Sequence, residues 1–118
     1  MRIAIACDKG MVANIFSEAK SYEIYEDGKL SEVVEGSFHG ARFIADFFAI
    51  KKIVYAVGRN MGEDLANELT AYNIGFKYAG NVTTYEAARL FSLKRLTTLV
   101  PAAEFNDENL SACGCKEK

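Results

Sequence analysis

Residues 2–7, Arg-Ile-Ala-Ile-Ala-Cys, form an almost unbroken apolar run. A strand that buries one face alternates apolar and polar residues; a strand apolar on both faces must be covered on both. The run therefore predicts a central strand ended by Asp8-Lys9-Gly10, and with it a sheet flanked by helices. The chain has 118 residues, 50% of them hydrophobic and 25% charged, which suits one globular domain and excludes a disordered chain.

The rest of the chain supplies partners for that strand. Met11 to Lys20 has no clear period and reads as a loop. Ser21–Glu26 alternates, with Tyr22 and Ile24 on one face and Glu23 on the other. Leu30–Glu35 is a second β-like run. Asp27-Gly28 between them is a hairpin signal, because a type I′ turn needs positive φ at both central residues. Tyr22 and Tyr25 lie on opposite faces, so one is expected to face outward as a self-association surface, which leaves a homodimer open.

From Ala41 to Lys51, Ile44, Phe47 and Phe48 repeat at helical spacing. Ile53–Val57 reads as a strand, Met61–Tyr72 as a helix stopped by Asn73, and Ile74–Tyr78 as a short strand. Thr83, placed before Glu86 in a capping box, opens a last helix through Leu93 whose inner face is expected to be Tyr85, Ala88 and Phe91. Phe43, Phe47, Phe48 and Phe91 read as core. Leu96–Val100 is expected to pack back on the domain.

The order β-loop-β-β-α-β-α-β-α predicts an α/β fold: a three-layer α/β/α sandwich on a mixed five-stranded sheet, with the hairpin antiparallel and the later strands parallel. The domain is expected over residues 1–100, followed by a polar tail, 101–118, that carries Cys113-Gly114-Cys115.

Charge and composition exclude several partners. The formal net charge is -2 with no large basic block, which disfavours nucleic acid. Apolar runs such as Phe47 to Ile50 are too short to cross a bilayer, and the N-terminal segment lacks a signal peptide's long apolar core. No membrane partner and a cytoplasmic location are expected. Three cysteines, Cys7, Cys113 and Cys115, do not make a disulfide framework.

Met1-Arg2-Ile3-Ala4-Ile5-Ala6-Cys7-Asp8, His39-Gly40 before a helix, and Ile53-Val54-Tyr55-Ala56-Val57-Gly58 together resemble the dinitrogenase iron–molybdenum cofactor biosynthesis family. Tyr72-Asn73-Ile74-Gly75 and Gly80-Asn81-Val82-Thr83-Thr84-Tyr85-Glu86-Ala87 are similar to its later pieces. The resemblance covers roughly residues 1–95 and lies in the order of the pieces, since no single motif is specific. It implies a ribonuclease-H-like fold and a nitrogen-fixation-related role in binding iron–molybdenum or iron–sulfur clusters. The chain departs from the pattern at Asn14-Ile15-Phe16-Ser17-Glu18-Ala19-Lys20. There the family's histidine is absent, and Ser17 and Glu18 replace its glycine and arginine.

The residues offer these chemistries. Cys7 ends the first strand, and in open α/β sheets ligands gather beyond the carboxyl ends of the strands. Its thiolate would suit a soft metal; the competing reading is a small buried hydrophobe. His39, the only histidine, precedes a helix and reads as a metal ligand or as a cap. Cys113 and Cys115 supply two close thiols, whereas a closed metal site needs about four ligands, so Cys7 and His39 or a second chain would complete it. The turns Gly58-Arg59-Asn60-Met61-Gly62 and Gly80–Thr83 open helices whose amides receive anions, or need glycine for backbone reasons alone.

These features predict a non-enzymatic carrier or chaperone of a metal cluster, a precursor or an anionic small ligand, with a cluster donor or acceptor protein as partner. Two alternatives stand beside it. One is a metal-dependent phosphoryl-transfer, nuclease-like enzyme using Asp8, with Glu35 or Asp46 as partner carboxylates. The other is a cofactor-free interaction module.

Overall fold

The apolar run forms β1 (Arg2–Asp8) and sits where its composition requires, inside the sheet. The computed structural model describes residues 1–36 and 40–99. His39, Cys113, Cys115 and the whole expected tail lie outside the described residues. After β1 come β2 (Met11–Val12), β3 (Ser21–Glu26), β4 (Lys29–Glu35), α1 (Ala41–Ile50), β5 (Tyr55–Gly58), α2 (Glu63–Ala71), β6 (Gly75–Tyr78), α3 (Thr84–Ser92) and β7 (Thr97–Thr98).

The fold is mixed α/β. The strand order is β4-β3-β1-β5-β6-β7, with β2 paired to β1. The hairpin pairs antiparallel to β1, and β1, β5 and β6 run parallel. Among the described residues the sheet has seven strands, not the five expected. The two additions are two-residue strands. β2 arises inside the stretch read as a loop, and β7 arises where the chain packs back antiparallel on β6. Segments this short carry no periodicity that a sequence reading can detect.

Both faces of β1 are covered. Ala4 and Ala6 join a cluster with Phe16, Tyr22, Ile44, Phe48 and Leu65, which brings α1 and α2 onto one face. Ile3 and Ile5 join Tyr25, Val57, Ala87 and Ala88, which brings α3 onto the other. The alanines leave room for a three-ring contact. Phe16 lies 5.2 Å from Tyr22 and 5.9 Å from Phe48, and Tyr22 lies 5.4 Å from Phe48, centroid to centroid. Tyr22 Oη donates to the Phe16 carbonyl at 2.6 Å, so the one polar atom of this cluster's tyrosine is satisfied.

Local signals hold where they rest on backbone chemistry. Asp27 and Gly28 both take positive φ, 52° and 87°, as a type I′ turn demands. Thr83 accepts from the Glu86 amide at 3.0 Å and caps α3. Facing is corrected at three places. Tyr22 and Tyr25 are both buried, because helices cover both sides of β3, so neither marks a surface. Tyr85 is 72% exposed, because α3 turns Ala87 and Ala88 inward instead. Phe43 is half exposed, while Ile44 and Phe48 carry the inner stripe of α1.

The contrast between rings is measurable. Phe48→Ala is expected to cost about 3–5 kcal/mol in urea unfolding, since it opens a cavity in the three-ring contact. Tyr85→Ala should stay within about 0.5 kcal/mol. Equal losses would contradict this packing.

Candidate functional site

Parallel topology gathers the residues singled out from sequence. The carboxyl ends of β1, β5 and β6 share one rim, which holds Cys7, the turn Gly58–Gly62 and the turn Gly80–Thr83. Glu35 pairs with Ser21, and Ser21 pairs with Cys7. The chain thus leaves β4 on this rim and re-enters as α1 at Gly40, directly after His39. At its far end α1 is tied to the opposite rim, where Arg2 Nε donates to the Lys51 carbonyl at 2.8 Å.

Three helix N-termini therefore open on one rim. A helix N-terminus presents unpaired amides and about half a positive charge. The three ends differ in what already occupies them. α3 is capped by Thr83, and Glu86 stands in its first turn. α2 has no side-chain cap, but Glu63 and Asp64 stand in its first turn. Among the described residues α1 has neither a side-chain cap nor an acid in its first turn, and it begins at Gly40 with φ 95°. Among the described residues the end least compensated is that of α1, which follows His39 in the sequence.

The stretch 11–20 laces this rim together, which the sequence reading missed. Met11 bridges Thr83 and Ile15 bridges Asn60. The Val12 amide donates to the Val82 carbonyl and the Phe16 amide to the Asn60 carbonyl, both at 2.9 Å. Asn60 Nδ2 donates to the Asn14 carbonyl at 2.8 Å. Gly58 is buried, and a Cβ there would meet Phe16 Cδ2 at 2.7 Å. Its glycine makes room for the aromatic ring. Arg59, half-buried beside it, is the cation of this turn.

Cys7 is buried, 5% exposed, on the α3 face of β1. Val12 pairs with it from β2 and Ser21 from β3, so it lies between strands rather than at an open end. Its Sγ lies 3.5 Å from Glu23 Oε2, to which the thiol donates. Burial pushes its pKa up, chiefly by desolvation; the Gly10 amide and Ser21 hydroxyl oppose this, while Glu23 adds to it. Glu23 Oε1 accepts from Tyr25 Oη at 2.9 Å. Burial first, then Glu23, raises Tyr25 to about 12. Glu23, on the face of β3 opposite Tyr22 and Ile24, joins the thiol to the phenol on the α3 face.

Asp8 has one buried carboxylate oxygen without a hydrogen-bond partner among the described residues, beside a pocket of about 110 Å³ that Asn14 and Glu18 also line. Of its expected partner carboxylates, Asp46 is bonded instead to the Tyr72 hydroxyl. Among the described residues no three His, Cys, Asp or Glu side chains are grouped to hold a metal ion. Nor is any helix there long and apolar enough to cross a membrane. A cavity of about 560 Å³ lies at the opposite rim, beneath α3, lined by Ile3, Tyr55, Lys77 and Phe91 among others.

No protein-family model matches the chain, and no curated protein matches it in sequence. Solved structures do. The chain is similar to a candidate NifB protein of the DUF35 family from Thermotoga, at 25% identity and TM-score 0.74, over 89% of this chain and 98% of that one. It is similar to the apo form of the orange protein from Desulfovibrio gigas, at 19% identity and TM-score 0.73, over 84% and 92%. A candidate dinitrogenase from Methanocaldococcus jannaschii matches at 17% identity and TM-score 0.67, over 84% and 94%. The shared property is the fold. The name of the Thermotoga protein, at 25% identity, supports the family resemblance loosely.

The setting of Cys7 has a chemical consequence. A thiol pKa raised in the folded state keeps the proton as pH rises through the ordinary thiol value of 9.0. In a Cys113→Ser/Cys115→Ser background, Cys7 should react with iodoacetamide at about neutral pH about tenfold or more slower than a free cysteine. Alkylation as fast as that of the unfolded chain would contradict the buried thiol.

Proposed function

We propose that this protein is a small non-enzymatic carrier or chaperone of a metal–sulfur cargo, an iron–molybdenum or iron–sulfur type cluster or its precursor. The cargo is received as an anion at the carboxyl rim of the sheet. One observation carries the reading: three helix N-termini meet on that rim, and among the described residues the end of α1, which follows His39 in the sequence, has no side-chain cap and no first-turn acid. Oriented amides at such ends hold anions without further machinery. The finer fold assignment, a three-layer ribonuclease-H-like sandwich, belongs to the same reading. It is supported by the two core clusters, one holding α1 and α2 and the other α3.

The donor chemistry divides by residue. Arg59, Asn60 and the turns at Gly58 and Gly80 frame the anion. His39, Cys113 and Cys115 are the soft donors. Cys7 is the donor least ready to bind, because it must first lose its proton and its contact with Glu23. Ligands that must be deprotonated to bind release their metal when reprotonated or exchanged, which suits a carrier that hands cargo to an acceptor protein in the cytoplasm. The candidate NifB protein and the orange protein, the latter solved in an apo form, add weight through the shared fold.

Anaerobic reconstitution with iron and sulfide tests the donor set. Metal content and visible absorption are compared for the wild type, His39→Ala, Cys113→Ser/Cys115→Ser and Cys7→Ser. Wild type should take up metal with sulfur-to-metal charge-transfer bands. His39→Ala and the double variant should each lose most of it, and Cys7→Ser should lose the least. Colourless wild type, or uptake untouched by the first two variants, would contradict the reading.

A further inference from the structure

The cavity beneath α3 lies at the amino rim, away from the Gly58–Gly62 and Gly80–Thr83 turns of the carrier site. We propose that it is a separate binding site for a small aromatic carboxylate. Its volume, about 560 Å³, falls within the roughly 300–1,000 Å³ of small-molecule sites. Its walls are apolar: Ile3 comes from β1, Tyr55 from β5, and Ala88 and Phe91 from α3. Tyr55 and Phe91 meet edge to face with centroids 5.5 Å apart, a surface on which a further planar ring packs well.

The charges at the cavity select the sign of the ligand. Lys77 and Lys94 both line it, and neither pairs with a carboxylate among the described residues. Lys77 Nζ lies 5.4 Å from the Tyr55 ring centroid, so a cation stands directly over the aromatic wall. The one acid in the lining, Asp27, is held by the Met1 ammonium at 2.6 Å. The cavity thus offers an apolar, aromatic body with two ammonium groups that no carboxylate among the described residues pairs. A flat apolar ligand bearing one negative group satisfies both, through ring contact inside and a charge-assisted hydrogen bond at the mouth.

The probe is 2-naphthoate, titrated into the full ¹⁵N-labelled chain and followed by amide shifts. Its neutral counterpart 2-naphthamide and the variants Lys77→Met, Lys94→Met and Ser92→Phe run in parallel. Naphthoate should shift amides around Tyr55, Lys77 and 88–94. The amide and each lysine variant should bind about fivefold to tenfold more weakly. Ser92→Phe, a change at an exposed position of the lining, should abolish binding while leaving the spectrum folded. Shifts confined to the carboxyl rim, no binding, or equal affinity for the neutral probe and for the lysine variants would overturn the proposal. Because this probe carries no metal and reads a different rim, its failure would leave the carrier reading standing, and the reverse also holds.

Discussion

The double burial of β1 is the constraint on which the rest depends. A strand without a polar face cannot sit at an edge, so partners must flank it and helices must cover it on both sides. Alternation then sorts the residues. Small alanines face α1 and α2, where three aromatic rings need the space, and isoleucines face α3, whose buried surface is itself small alanine. Size complementarity across each face keeps the interior dense.

The site follows from that arrangement. Once β1, β5 and β6 run parallel, each crossover helix must start at the carboxyl rim and return. Three positive helix ends converge there by topology alone. What distinguishes them is sequence. Thr83 and Glu86 satisfy one, Glu63 and Asp64 another, and among the described residues no side chain satisfies the third, which follows the chain's single histidine in sequence. The opposite rim has no such field, and its cavity is built from aromatic walls and lysines instead. One sheet thus presents two ends with different chemistry.

Much of this was legible in the sequence because it is local. Asp27-Gly28 specifies its turn by backbone sterics, Thr83 and Glu86 specify a cap at fixed spacing, and the strand pattern gives the parallel order. Residues facing two ways were harder. Tyr85 and Phe43 are apolar, and the phase of a short helix's stripe shifts easily by a residue, so the sequence turns both inward while they point out. The stretch 11–20 was illegible for another reason. Its order comes from contacts with Asn60, Val82 and Thr83, far away in the chain, and from Phe16 entering the core. Gly58 is glycine because of that same ring, a demand no local rule contains. The cavity beneath α3 draws on four elements at once, and no spacing announces it.

The central claim is that the carboxyl rim collects an anionic metal–sulfur cargo. Amide shifts on titration with tetrathiomolybdate, a molybdenum–sulfur anion that needs no assembly, test it most directly. The account predicts saturable shifts concentrated at Gly40–Arg42, Gly58–Gly62 and Gly80–Thr83, weakened by Arg59→Gln. Shifts scattered over surface lysines, or none on that rim, would contradict it.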